Sequence, residues 1–212
     1  DDDEICLVWD EENDWMSNMY QYEKEPSDYV DEFKTYIEEA KNNFVESEFR
    51  HVCRSQLQGN QLIAHDIVVH FCTQNNFYGG LICMFGMGGC GKSFVIDSIR
   101  TTLKHKFSQD VVVTSTTGIT ANAVKGVTVH SALNLPVPPR RYAELSEAAT
   151  REYQDKYSDI NLLVIDEFSM LRAKELFYVS ERLKQIKCND HVFGGVLVLL
   201  VGDPGQLPPV KG

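Results

Sequence analysis

The chain has 212 residues, of which 43% are hydrophobic and 24% are charged, and its formal net charge is −11. These values are ordinary for a soluble globular protein with one domain, or one domain and an extension. Since no stretch reaches about 18 apolar residues and the N-terminus is acidic, we expect no membrane span, secretory signal or transit peptide.

The charge is unevenly distributed along the chain. Residues 1–50 carry about 17 acidic and about 4 basic side chains, whereas residues 51–212 carry about 14 and about 16. We therefore expect an acidic N-terminal extension over 1–50, for which a protein partner is one possibility, and an ATPase domain over 51–212. The near-neutral charge of the second part leaves nucleic acid open as its partner. The chain does not begin with Met, and we expect it to be a piece of a longer protein.

The six cysteines do not form a recognisable metal site. They contain no C-x-x-C pair and no Cys/His cluster with zinc spacing. We expect reduced thiols and an intracellular protein, in the nucleus or mitochondrion if the source is eukaryotic and in the cytoplasm otherwise.

Hydrophobic periodicity predicts alternating helices and strands. The predicted helices cover 27–50, 58–76, 92–106, 118–124, 143–157 and 171–187, and the predicted strands cover 81–85, 111–113, 162–165 and 196–201. The strands are continuous apolar runs, which is typical of a parallel sheet that is buried on both faces. We therefore predict an α/β fold with a mostly parallel sheet flanked by helices.

A glycine-rich segment between the first predicted strand and the next helix fits the phosphate-loop pattern G-x-x-x-x-G-K-[ST]. Its residues are Gly86, Met87, Gly88, Gly89, Cys90, Gly91, Lys92 and Ser93. Glycines let backbone N–H groups wrap a phosphate, and the helix that follows presents its positive end to the same anion. We expect Lys92 to reach the β- and γ-phosphates of ATP and the Ser93 hydroxyl to ligate Mg²⁺.

Two carboxylates follow the third apolar strand, at Asp166 and Glu167. In an open α/β sheet the carboxyl ends of the strands carry the ligands. Asp166 is predicted to hold Mg²⁺, and Glu167 to orient and deprotonate the attacking water. Alternatively, the two acids simply cap the following helix.

The fourth apolar strand ends in a Pro/Gly turn that carries Gln206. Its amide is predicted to contact the γ-phosphate or the attacking water. By itself, this segment is also consistent with an ordinary turn.

The ordered set of blocks resembles the petite-integration-frequency (Pif) family of DNA helicases, with Helitron-like and RecD-like relatives also similar. The blocks are LQGNQLIAHDIV from Leu57, the phosphate loop, TTGITA from Thr116, TVHS from Thr128, IDEFSM from Ile165 and GDPGQLPPV from Gly202. Pro204 and Gly205 stand where family members usually have an aromatic residue, and in this feature RecD-like relatives are closer.

The resemblance implies the first RecA-like P-loop NTPase motor domain of a helicase that moves 5′ to 3′ on single-stranded DNA. It implies that Gln61 reads the adenine. It also implies DNA contacts from Thr116, Thr117, Gly118, His130 and Ser131, although a lone histidine is otherwise more often structural. A second RecA-like domain would be needed for unwinding, and this piece by itself is expected to be inactive.

Two other classes of function remain open from the residues. A nucleotide kinase would share the phosphate loop but would need an acceptor pocket. A regulatory or DNA-binding module with a silent ATPase fold would not need Lys92, Asp166 and Glu167 intact.

Overall fold

The computed structural model describes residues 49–74, 77–118, 121, 126–136 and 141–205. Helices and strands alternate within these ranges, as the periodicity predicts. The elements are α1 Asn60–Cys72, β1 Gly80–Phe85, α2 Lys92–Phe107, β2 Asp110–Ser115, β3 Val127–Thr128, α3 Val129–Ala132, α4 Glu147–Lys156, β4 Ile160–Asp166, α5 Ala173–Lys187 and β5 Leu197–Gly202. Short 3-10 turns lie at Arg54–Gln56, Phe168–Met170 and Val192–Gly195.

The five strands of the described ranges form one parallel sheet in the order β1-β5-β4-β2-β3. The register pairs Phe85 with Gly202 and Asp166 with Val201. Asp166 also pairs with Ser115. Because all pairs are parallel, the carboxyl ends of all five strands meet at one edge. The strand that precedes the phosphate loop, the strand that carries Asp166 and the strand that precedes Gln206 therefore end side by side.

The apolar runs in β4 and β5 divide between two hydrophobic cores, one on each face of the sheet. Leu162 and Val164 pack with α1 and α2 on one face. Leu163 and Ile165 pack with α5 on the other face. Since side chains alternate along a strand, a strand that is covered on both sides must be apolar at every position. The predicted α/β architecture is confirmed.

Two helices begin later than predicted, because capping contacts decide where each one begins. The helix predicted over 143–157 begins only at Glu147, because the Ser146 hydroxyl accepts the Ala149 N–H at 3.4 Å. The helix predicted over 171–187 begins at Ala173, where the Glu175 carboxylate accepts the Arg172 N–H at 2.8 Å.

The prediction of four strands was incomplete. β3 has only two residues, too few to give a periodic signal, and it forms because Thr114 and Ser115 of β2 offer it a partner. Several predictions fall on residues outside the described ranges: most of the acidic extension over 1–50, most of the helices over 27–50 and 118–124, and Gln206.

In the described part of the chain, no helix has the length and apolar character needed to cross a membrane. The cysteines of these ranges are all free thiols.

A buried arginine contacts both described ends of the connection between α3 and α4, on either side of residues 137–140. Arg182 of α5 is 2% exposed. Its guanidinium donates to the carbonyl oxygens of Asn134 at 3.2 Å and Ala143 at 2.9 Å, and it lies 5.1 Å from the Tyr142 ring centroid. This one buried side chain thus donates to backbone oxygens at both described ends of the connection.

We predict that Arg182→Met lowers the free energy of unfolding by about 2–4 kcal/mol, because it removes the hydrogen bonds that the buried guanidinium donates to Asn134, Ala143 and Gln185. Urea denaturation followed by circular dichroism measures this change. Arg151→Met, at an exposed position of α4, is the control and should change stability by less than about 0.5 kcal/mol. Equal stability of the two variants would contradict the assigned role.

Candidate functional site

The glycine-rich segment forms the connection between β1 and α2, where the phosphate-loop pattern places it. Gly91, the residue before α2, has φ 87°, a left-handed conformation that side chains disfavour. A Cβ atom on Gly91 would also lie 2.6 Å from the Gln61 amide nitrogen, and one on Gly86 would lie 2.4 Å from Cys90 Sγ. The loop therefore needs glycine at Gly91, and a side chain at Gly86 would require Cys90 to move.

The Lys92 side chain folds back along the loop. Its Nζ donates to the carbonyl oxygens of Gly86 at 2.9 Å and Met87 at 3.2 Å. The ammonium group is therefore held at the loop, at the start of a 16-residue helix. A positive charge beside a helix N-terminus attracts an anion. Ser93 follows on the first turn and is exposed.

Gln61 lies on α1, against the phosphate loop. Its side-chain amide donates to the Cys90 carbonyl oxygen at 3.2 Å. The structure thus brings Gln61 to the phosphate-loop segment from a separate helix. Its predicted contact with adenine stays a prediction.

The carboxylate pair lies at the end of β4. Asp166 is 6% exposed. Burial raises the pKa of its carboxyl group, and the Glu167 N–H, which donates to Asp166 Oδ1 at 3.0 Å, partly offsets that effect. The positive charge of Lys92 also acts to lower the pKa of Asp166. The Asp166 carboxylate therefore has little access to water. A nearby cation stabilises the charge of such a buried carboxylate.

Glu167 does not continue the strand. Its φ of 54° and ψ of 44° are left-handed, and this turn in the backbone begins the 3-10 segment Phe168–Met170. The alternative that the two acids cap the next helix finds no support, because α5 begins later and its own Glu175 caps it. Ser108, Asn134, Cys188 and Phe193 also have positive φ, so this conformation by itself does not distinguish the site.

Phe168 and Gly202 connect the three strand ends, and the sequence analysis gave neither residue a role. The Phe168 ring stacks on Phe85 with centroids 5.5 Å apart. A Cβ atom on Gly202 would lie 3.0 Å from the Phe168 ring. The Gly86 N–H donates to the Gly202 carbonyl oxygen at 3.1 Å, which ties the start of the phosphate loop to the end of β5. The only sequence signal was their place inside the two recognised blocks.

The turn after β5 emerges between the phosphate loop and the carboxylate pair, since β5 lies between β1 and β4. Asp203 closes this turn by accepting the Gly205 N–H at 2.9 Å. Gln206 is the next residue and lies outside the described ranges.

The two blocks predicted to contact DNA follow β2 and β3, which are neighbours in the sheet. Thr116 donates through its hydroxyl to the Glu167 carbonyl oxygen at 3.0 Å. Thr117 is half-buried and Gly118 is exposed. Ser131 is held in the first turn of α3 by the Thr128 hydroxyl, which accepts its N–H at 3.2 Å. The two blocks are thus brought together at the same edge as the ATP-site residues.

His130 lies beside an ion pair that the sequence analysis missed. Its Nε2 is 3.5 Å from Glu175 Oε1, and Arg172 donates to the same oxygen at 2.7 Å. Burial by itself raises the pKa of Glu175, but the hydrogen bonds and charge of Arg172 outweigh it and lower that pKa. His130 Nε2 is buried and has no hydrogen-bond partner among the described residues, and its DNA contact remains a prediction.

Comparison with known proteins places the chain among helicases. A family profile described as PIF1-like helicase matches residues 56–212. The ATP-dependent DNA helicase Pif1 of Psychrobacter is 33% identical over 138 residues, which are 62% of this chain and 20% of the relative. The chain thus spans about a fifth of that relative's length.

Solved structures of Pif1 helicases are also similar to this chain. Pif1 helicase from Candida albicans has a TM-score of 0.59 and 27% identity, covering 73% of this chain and 34% of that one. Pif1 from Bacteroides, in complex with ADP-AlF3 and ssDNA, has a TM-score of 0.57 and 27% identity, covering 74% and 34%.

The raised pKa of Asp166 predicts a gain in stability when its charge is removed. Asp166→Asn should raise Tm at pH 7 by a few degrees, because the amide oxygen still accepts the Glu167 N–H. Since the folded-state pKa lies above the unfolded one, ionisation destabilises the fold as pH rises through that interval. The gain should therefore shrink as pH falls towards about 4.

Thermal unfolding of the nucleotide-free chain at both pH values measures this effect. Asp155→Asn, at an exposed position of α4, serves as the control and should show no gain. A lower Tm for Asp166→Asn at pH 7 would show that its charge stabilises the fold.

Proposed function

This chain belongs to the PIF1-like helicase family, and from that premise we propose that it is the ATP-binding motor domain of a DNA helicase. In this proposal ATP hydrolysis drives 5′ to 3′ movement on single-stranded DNA and unwinding of the duplex. One observation carries the proposal. The phosphate loop and the Asp166–Glu167 pair lie at the same edge of one parallel sheet, tied through the Gly86–Gly202 hydrogen bond and the Phe85–Phe168 stack.

In this site the backbone N–H groups of the loop and the N-terminus of α2 bind the phosphates. Lys92 exchanges its two carbonyl partners for the β- and γ-phosphate oxygens. Glu167 accepts the proton of the attacking water, and Gln206 contacts that water or the γ-phosphate.

The described residues also fit a magnesium ion that arrives with the nucleotide. They contain no group of three or more His, Cys, Asp or Glu side chains that could hold a metal by itself. Mg²⁺ in nucleotide sites needs only one or two protein ligands besides phosphates and water. Ser93 would supply a hydroxyl and Asp166 a buried carboxylate, and the ion would neutralise charge between the outer phosphates.

Single-stranded DNA is the proposed partner, in line with the Bacteroides Pif1 complex that contains it. The blocks at 116–118 and 130–131 are the proposed contacts. A second RecA-like domain would close the ATP and DNA sites, so this chain by itself should not unwind DNA. A nucleotide kinase is disfavoured by the family match, and a silent ATPase fold is disfavoured by the intact Lys92, Asp166 and Glu167.

We predict that Lys92→Ala weakens binding of fluorescent ADP in the presence of Mg²⁺. Loss of a charged hydrogen bond costs about 1.5–3 kcal/mol, which corresponds to a roughly 10- to 100-fold higher Kd. Fluorescence titration of this chain measures the change. Lys106→Ala, in the exposed last turn of the same helix, is the matched control and should bind like the wild type. Tight binding by Lys92→Ala would overturn the assignment of the loop.

In the full-length protein, Glu167→Gln should retain nucleotide binding but lose about 10²–10⁴-fold in ATP turnover, because the amide cannot accept the proton. Phosphate release at saturating single-stranded DNA measures turnover, and Glu152→Gln on exposed α4 is the control. Near-normal turnover by Glu167→Gln would mean that another residue is the base.

A further inference from the structure

Three consecutive residues of β2 and the segment after it donate side-chain hydroxyl bonds to the backbone of β4 and its extension. Thr114 donates to the Val164 carbonyl oxygen at 2.7 Å, and Ser115 donates to that of Asp166 at 3.1 Å. Thr116 donates to the carbonyl oxygen of Glu167 at 3.0 Å. The main-chain register between these strands ends at the pair Ser115 and Asp166. The Thr116 bond therefore extends the contact between β2 and β4 by one residue, to Glu167, the proposed base.

Glu167 needs such support because its backbone is left-handed. That conformation is unfavourable for a residue with a Cβ atom and persists only where surrounding contacts hold it. On one side, the Glu167 N–H is bound to Asp166 Oδ1 at 3.0 Å. On the other side, the Glu167 carbonyl oxygen accepts the Thr116 hydroxyl, with a longer contact of 3.4 Å from the Met170 N–H. The backbone conformation sets the direction of the Glu167 Cα–Cβ bond, so these bonds fix the point from which the side chain of the proposed base extends.

We propose that Thr116 is a positioning residue for hydrolysis, which holds Glu167 in its left-handed conformation through the hydroxyl bond to the Glu167 carbonyl oxygen. The inference rests on the proposed function, in which Glu167 is the base. It gives Thr116 a different task from the DNA contact that the sequence predicts. In this role the Thr116 hydroxyl acts on the backbone of Glu167, after the neighbouring strand β4.

A small displacement of the base is enough to slow hydrolysis. A misplacement of about 1 Å in a catalytic constellation can lower the rate by about 10²-fold. Ground-state binding of ATP does not depend on the direction of Glu167, because the loop and Lys92 contact the phosphates. Removal of the Thr116 hydroxyl should therefore lower kcat and leave KM unchanged.

The chain offers a matched control on the same strand. Thr114 makes the same kind of bond, but its acceptor is the carbonyl of Val164, within the strand and before the carboxylates. Its side chain is fully buried. A substitution at Thr114 thus removes an equivalent hydroxyl bond between β2 and β4 without touching the backbone of Glu167.

The test uses the full-length protein with Thr116→Val, Thr116→Ser and Thr114→Val, beside Glu167→Gln. ATP turnover is measured over a range of ATP at saturating single-stranded DNA, and Kd values for fluorescent ADP and for labelled DNA are measured separately. Thr116→Val should lose about tenfold or more in kcat while KM and both Kd values stay within about twofold of the wild type. Thr116→Ser, which retains the hydroxyl, should restore turnover, and Thr114→Val should keep the wild-type kcat.

Three results would overturn the inference. An unchanged kcat in Thr116→Val would show that the bond does not position the base. A weaker DNA affinity whose effect disappears at saturating DNA would make Thr116 a DNA contact only. An equal loss in Thr114→Val would show general damage to the sheet. If Glu167→Gln loses turnover while Thr116→Val does not, the proposed function stands and the inference fails. If the wild type shows no ATP turnover, both fail.

Discussion

The two central strands β4 and β5 are hydrogen-bonded on both sides and covered by helices on both faces. The positions of the proposed ATP-site residues that follow the strands depend on this double burial. Leu162 to Ile165 and Leu197 to Leu199 are at most 1% exposed. Parallel strands with this amount of apolar burial have one stable register, since a shift by one residue would exchange the side chains of the two cores. The register in turn brings the ends of β1, β4 and β5 together.

The site combines several arrangements that do not stabilise the fold by themselves. Asp166 is a buried carboxylate, Glu167 is left-handed, and Lys92 is bound to carbonyl oxygens of its own loop. Each arrangement is unfavourable or only weakly favourable in the free protein. In the proposed function, a nucleotide and its cation would supply opposite charges to Lys92 and Asp166. The buried part of the sheet stabilises the strand ends that carry these residues.

The part of the sheet edge where β2 and β3 end differs in its contacts from the part that carries the phosphate loop. There the contacts are side-chain hydroxyls and an ion pair rather than glycine backbone: Thr116 reaches Glu167, and Arg172 holds Glu175 beside His130. Residues that resemble a DNA-contact block are thus bonded to the segment that carries the proposed base.

The sequence by itself determined the α/β class, the parallel sheet, the phosphate loop and the carboxylate pair, because periodicity, glycine spacing and strand-end acids are local signals. It also suggested that Gln61 belongs to the site, although only through a family resemblance. The two-residue strand β3, the buried Arg182 and the pairs Phe85–Phe168 and Thr116–Glu167 were decided by the tertiary structure. Each joins residues that are far apart in the chain, and no local pattern records such a contact. Their energies exist only once the parallel register has placed the strand ends side by side.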